Sequence, residues 1–142
     1  MFDRCPPIAR LSHRILGDVE TAVRRFPRFH KYSVGADLRA HAMQVARCIH
    51  KAWRDAEQRL PRVMEVCSAV DDLKISMQLA KQVRAFGSFA EFEALALLVN
   101  EIGQQSGGWL KKLQSKGRNE QVREPAQCAQ ILSTRAAHGA RA

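Results

Sequence analysis

Basic and aromatic side chains alternate between residues 24 and 32. The cations Arg24, Arg25, Arg28 and Lys31 are interleaved with the rings of Phe29, His30 and Tyr32. Arginine and lysine neutralise phosphates, and exposed rings stack on unpaired bases, so the stretch carries the side chains of a nucleic-acid contact. The rings also have a structural interpretation. We expect Tyr32 to plug the end of a helical bundle, and for Phe29 both roles stay open.

The net charge is unevenly distributed along the chain. It is +7 over residues 1–62, −3 over residues 63–110 and +5 over residues 111–142, which gives +9 in all. Such an excess is typical of a polyanion binder and is favoured here over a merely cationic surface. Basic side chains grouped in this way contact the phosphate backbone of a nucleic acid and do not recognise its base sequence. The candidate nucleic-acid-binding residues are Arg24, Arg25, Arg28, Lys31, Arg39, Arg47, Lys51, Arg54, Arg59, Arg62, Lys111 and Lys112.

Motifs that carry catalysis or bind metals are missing from the sequence. The five histidines form neither HExxH nor a zinc-ligand spacing, and no phosphate-binding glycine loop occurs. We therefore expect no catalytic residue, cofactor or metal. The four cysteines are widely spaced, which predicts reduced thiols and a cytoplasmic location. No apolar run approaches the ~18–20 residues of a membrane span, and residues 1–10 lack the apolar core of a signal peptide.

The hydrophobic pattern predicts four helices, over residues 8–26, 33–58, 61–86 and 88–114. In the second helix, apolar residues recur every three or four positions and define one face: Leu38, Ala42, Val45, Ile49, Ala52 and Ala56. Gly87 is expected to end the third helix, and Ser88 with Glu91 is a capping box for the fourth. We predict an all-α chain in which residues 1–116 form an antiparallel four-helix bundle and residues 117–142 form a basic tail that is disordered or weakly helical.

The third helix is apolar on two opposite faces. One face contains Val63, Val66, Val70, Leu73, Met77 and Ala80, and the other contains Ile75, Leu79, Val83 and Phe86. A helix apolar on two sides needs cover on both. Either the first and last helices supply the second cover, or another copy of the protein does. The sequence leaves both arrangements open.

Three segments resemble one family in chain order. They are FPRFHKYSVGADLR at 26–39, DDLKISMQLAKQVRAF at 71–86 and EIGQQSGGWLKK at 101–112. The family is the four-helix-bundle group of the accessory variability determinant proteins of diversity-generating retroelements, with the proteins of 23S ribosomal RNA intervening sequences. Residues 40–53 lack the Ser-x-Asn-Ile-Ala-Glu-Gly-like stretch of the ribosomal branch, so the retroelement branch fits better.

This resemblance implies a homopentamer that binds the retroelement's reverse transcriptase and nucleic acid. Such proteins support error-prone cDNA synthesis from template RNA and are not enzymes. The family's Leu-Arg-x-x-Leu-Arg surface, associated with the polymerase, corresponds here to Leu73-Lys74 and Met77-Gln78. The resemblance assigns the partner contact to Lys74, Gln78 and Lys81. Gln78 departs from the pattern because it carries no charge.

Two other functions fit the same residues. A general RNA-binding or ribosomal-RNA-associated protein of this fold would have no polymerase partner. A protein-interaction module would use the charge to hold an acidic protein. An enzyme is the weakest of the alternatives, because no cluster of residues supports one.

Overall fold

The computed structural model describes the backbone of residues 5–140 and the side chains of residues 5–118. It forms five helices and, within that range, no strand. The helices are α1 (Pro7–Arg24), α2 (Arg28–Lys31), α3 (Val34–Arg54), α4 (Arg59–Gln82) and α5 (Phe89–Ala140). The prediction of an all-α chain is confirmed. α2, a single turn, was not predicted.

The helix α1 begins where the two prolines favour a start. Pro7 occupies the first turn, where a missing amide hydrogen removes no intrahelical bond. Ile15, Val19 and Val23 are fully buried along one face. Phe26 is buried just beyond the last turn, and Pro27 prevents the helix from continuing.

α3 and α4 pack along each other, and α1 packs on α3. The predicted apolar stripe of α3 is confirmed: Leu38, Ala42, Val45, Ile49 and Ala52 are all buried. Ala56 lies outside the stripe because α3 ends at Arg54, two residues earlier. The inner face of α4 is confirmed too, with Val63, Val66, Val70, Leu73, Met77 and Ala80 buried.

The second apolar face of α4 is exposed. Ile75, Leu79 and Val83 are 58%, 55% and 43% accessible. The first and last helices therefore do not supply its cover. Only Phe86, which follows the helix, is partly covered, because its ring meets Phe26 and Phe92.

α4 ends at Gln82, so the prediction that Gly87 ends this helix is wrong. Arg84 adopts the left-handed conformation, with φ 59°. The Ala85 amide donates to the Ala80 carbonyl at 2.9 Å, and the Arg84 amide donates to the Lys81 carbonyl at 3.0 Å. These are the paired bonds of a Schellman motif, which usually has glycine at this position. The sequence could not reveal an arginine in that role.

The helix α5 begins after Ser88, whose Oγ accepts a hydrogen bond from the Glu91 amide at 3.2 Å. Its buried face contains Phe92, Leu95, Val99, Ile102 and Ser106. α5 continues to Ala140, so the predicted disordered tail is not confirmed. By internal contacts the chain divides into two compact units, Met1–Leu110 and Lys111–Ala142.

Candidate nucleic-acid interface

Two connections of the first unit meet at one end, which we call the α2 end. The link from α1 to α3 contains α2, and the link from α4 to α5 contains Arg84 to Ser88. The Phe86 ring lies edge-on to Phe26 at 5.1 Å and to Phe92 at 5.5 Å, centroid to centroid. Arg25 Nη1 lies 2.7 Å from Glu91 Oε1. These contacts bring both connections together.

The predicted cations of the first connection all lie at this end, but they differ in whether a carboxylate is paired with them. Arg25 is committed to Glu91, and Arg24 lies 3.9 Å from Glu20 in an exposed pair. Arg28 is exposed and Lys31 half-exposed. Neither has a carboxylate partner among the side chains described, 5–118. Arg28 and Lys31 are therefore the two cations of this group that are free to meet a phosphate.

Two large rings are exposed beside these cations. Phe29 is 85% and Tyr32 is 75% accessible. The prediction that Tyr32 plugs the bundle end is wrong. The end is filled instead by Phe26, Phe86 and Phe92, while the turn after Pro27 keeps the chain on the surface.

A glycine, Gly35, allows the short helix α2 to lie close to the rest of the first unit. A Cβ at Gly35 would lie 2.7 Å from Val23 Cγ1 and 3.3 Å from the His30 carbonyl. Those distances leave no room for a side chain, so glycine permits α2 to approach the start of α3. The Ser33 hydroxyl adds contacts of 3.4 Å to the Phe29 and His30 carbonyls. The backbone under the rings is thus fixed in place.

Two more cations lie beside the second connection: Lys81 in the last turn of α4, and Arg84, which the sequence interpretation missed. Arg84 is exposed and lines a hollow of about 300 Å³ together with Lys81, Phe86 and Phe89. Lys81 Nζ lies 4.7 Å from the Phe92 ring centroid and 5.4 Å from that of Phe89. A cation over two rings is held by their negative faces. In the sequence, only its positive charge could have identified Arg84, and it lies in a segment, residues 63–110, whose net charge is negative.

The other predicted cations of the first unit divide into free and committed side chains. Arg47, Lys51 and Arg54 are exposed along α3, and none of them forms an ion pair within the described part of the chain. Arg59 donates to the Ala52 carbonyl at 3.2 Å and to the Trp53 carbonyl at 2.9 Å. It thereby satisfies orphan carbonyls at the end of α3, a structural role.

Arg39 and Arg62 are also engaged. Arg39 lies 2.8 Å from Glu20, which joins α3 to α1. Arg62 Nη1 lies 3.3 Å from Glu65, and its Nε lies 3.7 Å from Asp55. A phosphate would have to compete with these carboxylates. In the second unit, Lys111 and Lys112 are exposed on α5.

The residues assigned to the polymerase partner lie along one edge of α4. Lys74 and Gln78 line a groove of about 160 Å³ between α4 and α5. Lys74 is half-buried, and its ammonium group lies against Gly103. A Cβ added at Gly103 would be only 2.9 Å from Lys74 Nζ. Gln78 is exposed, and Lys81 is held over the phenylalanine rings. Only Gln78 of the three is both exposed and uncommitted.

A histidine pair joins α1 to α3. His13 Nε2 lies 2.8 Å from His50 Nε2, and the ring centroids are 5.0 Å apart. A hydrogen bond at this distance requires one protonated and one bare nitrogen. Burial lowers the pKa of His50, and the nearby His13 and Arg54 charges lower it further. Burial, aided by the Glu65 charge, raises the pKa of the Cys48 thiol, which keeps that thiol protonated at neutral pH.

Among residues 5–118, no group of three or more histidine, cysteine or carboxylate side chains converges as a metal site would require. No helix in the described part of the chain combines the length and apolarity needed to cross a bilayer. No protein-family model matches the chain, and no curated protein is significantly similar to it. The family resemblance of the three segments stays a prediction.

Proposed function

We propose that this chain is a non-catalytic nucleic-acid-binding protein that acts as an accessory subunit of a diversity-generating retroelement reverse transcriptase. It holds template RNA or cDNA near the polymerase during mutagenic cDNA synthesis. One observation carries the nucleic-acid part: at the α2 end, Arg28 and Lys31 have no carboxylate partner among the side chains of residues 5–118 and lie beside the exposed rings of Phe29 and Tyr32. The polymerase part rests on the sequence resemblance.

The electrostatics support binding to phosphate backbones. Several cations of the first unit have no ion pair among the described side chains, and five of these lie on α2 and on the outer face of α3: Arg28, Lys31, Arg47, Lys51 and Arg54. With a net charge of +9, the chain attracts polyanions before any specific contact forms. Contacts of this kind position a nucleic acid and carry no sequence information.

The proposed assembly is a homopentamer of antiparallel four-helix bundles built from α1, α3, α4 and the start of α5. The exposed stripe of Ile75, Leu79 and Val83 supports self-association, because a second copy would remove three large apolar side chains from water. Light scattering tests this. About 80 kDa is expected for five copies of 16.0 kDa, and a particle of one copy would exclude the assembly.

The binding experiment measures RNA affinity by filter retention across a salt series. The logarithm of the affinity should fall with the logarithm of salt by about 0.7 to 0.9 per phosphate neutralised. Replacing Arg28 and Lys31 by alanine should weaken binding. It should also make the salt dependence shallower by the amount that corresponds to about one to two phosphate contacts. The matched control replaces Arg59 and Arg62, whose guanidinium groups are engaged within the chain. If the α2 variant leaves binding unchanged, or if the control weakens binding as much as the α2 variant does, the assignment fails.

A polymerase partner is tested separately. The protein should co-purify with a diversity-generating reverse transcriptase and raise its cDNA yield from the template RNA. The second candidate function is a general RNA-binding protein of the same fold, which the uncharged Gln78 at the partner-contact position favours. RNA binding with no retention of the polymerase would select that second function.

A further inference from the structure

The rings of Phe29 and Tyr32, in and just after α2, are largely exposed to solvent. None of the residues Arg28–Lys31 is buried, and Phe29 is the most exposed large apolar side chain of the described residues, at 85%. The bundle end beneath is already filled by Phe26, Phe86 and Phe92. A ring left in water gains no free energy from burial in the folded chain, so the two rings are available to a ligand.

The rings and cations share one short rigid segment. Phe29 and Tyr32 are three positions apart, as are Arg28 and Lys31, and residues at this spacing lie on one side of a helical turn. We call these four side chains the α2 platform. The His30 and Lys31 amides donate to the Pro27 carbonyl at 2.8 Å and 3.0 Å, which gives the turn a defined backbone and lowers the ordering needed when a ligand binds.

The platform is suited to one state of nucleic acid. In a duplex each base is stacked between its neighbours, and the rings of α2 could reach only phosphates and base edges. In an unpaired strand the base faces are free to stack on aromatic side chains, while adjacent cations follow the backbone. Two exposed rings beside two free cations fit the second case.

We propose that the α2 platform binds unpaired nucleotides, with bases stacked on Phe29 and Tyr32 and phosphates neutralised by Arg28 and Lys31. The inference rests on the proposed nucleic-acid binding and adds the class of strand. The selectivity comes from the rings, whereas the cations serve single strands and duplexes alike.

The test compares a labelled single-stranded oligonucleotide with a blunt-ended duplex of equal charge, by fluorescence anisotropy on the full chain. The double variant Phe29→Ala/Tyr32→Ala should lower single-strand affinity about tenfold or more and change duplex affinity less than twofold. Circular dichroism should be unchanged, because neither side chain is buried. Ultraviolet crosslinks to oligo(dT) should map to residues 28–32.

Two further variants separate the outcomes. Met64→Ala/Leu97→Ala removes exposed apolar side chains of 54% and 63% accessibility from other helices and should change neither affinity. Arg28→Ala/Lys31→Ala should lower both. If the ring variant leaves single-strand affinity intact while the charge variant lowers both, the platform is excluded and the proposed function stands. If the unmodified protein binds neither strand, both fail. Equal loss for strand and duplex in the ring variant overturns the single-strand preference.

Discussion

The Arg39 guanidinium lies against the Glu20 carboxylate, with Nη2 2.9 Å from Oε1 and Nε 2.8 Å from Oε2. The pair links α3 to α1 in a partly exposed position. A cation that sequence alone assigns to phosphate is thus part of the contact between two helices. The Arg47 side chain, two turns further along α3, is exposed and has no carboxylate partner among the described residues.

Arg39 and Arg47 should therefore separate stability from binding. Arg39→Ala should lower the free energy of unfolding by about 0.5–1 kcal/mol, the range of partly exposed ion pairs, with little effect on RNA affinity. Arg47→Ala should weaken RNA binding and leave the urea midpoint unchanged. Urea denaturation and filter retention measure the two effects. An Arg39→Ala variant that loses RNA affinity as Arg47→Ala does would contradict this division.

Arg84 should be a site of backbone strain that glycine relieves. Its φ of 59° is costly for any residue with a Cβ. Arg84→Gly should raise the free energy of unfolding by about 1 kcal/mol, whereas Arg84→Ala, which keeps the Cβ, should give no such gain. Both variants remove the charge, so their difference in the urea midpoint isolates the backbone. Equal midpoints for glycine and alanine would show that the cap is unstrained.

Two glycines should respond oppositely to alanine. At Gly35 the added Cβ meets Val23 at 2.7 Å and the His30 backbone at 3.3 Å, so Gly35→Ala should destabilise the fold by about 1–3 kcal/mol. At Gly103 the nearest atom is the flexible end of Lys74, 2.9 Å away, which can move. Gly103→Ala should be neutral or stabilise by up to about 1 kcal/mol, through helix propensity. Thermal melts of both variants check this, and a destabilised Gly103→Ala would place Lys74 in a fixed structural role.

The histidine pair should make stability fall in mild acid. The folded pKa of His50 lies below its ordinary value of 6.5, so the unfolded chain binds more protons there. The stabilisation is present above pH 6.5 and is lost as the pH falls from 6.5 through the folded pKa. A second proton would also point two N–H groups at each other across 2.8 Å. His50→Gln should therefore show a smaller decrease in melting temperature than the unmodified protein between pH 7 and pH 5. Parallel curves would assign the acid sensitivity to other groups.

The periodic parts of the fold were predictable because burial repeats with the helix. The stripe from Leu38 to Ala52 is an example: its spacing alone placed it in the core, where the structure has it. The exposed face of Ile75 and Leu79 was visible in the pattern too, but a pattern cannot say whether a neighbour covers it. That depends on where α5 packs, which is a tertiary property.

The site was less predictable, since its residues are distinguished by partners rather than by type. Arg28 and Arg39 look alike in the sequence, yet Arg39 is paired with Glu20 while Arg28 has no carboxylate partner among the side chains of residues 5–118. Tyr32 was expected to plug the end of the bundle, whereas the turn after Pro27 keeps it on the surface. Arg84 needed a backbone angle that periodicity does not encode.

The single turn α2 contributes no buried residue to the molecule. Its sequence is thus free to vary, provided that Pro27 before it and Gly35 after it keep the backbone path. An engineer could exchange residues 28–31 as a cassette, testing new ligands on an unchanged scaffold. Because the surface residues of α2 are separate from the buried core, natural variants could change the ligand that α2 binds without compensating substitutions in the core.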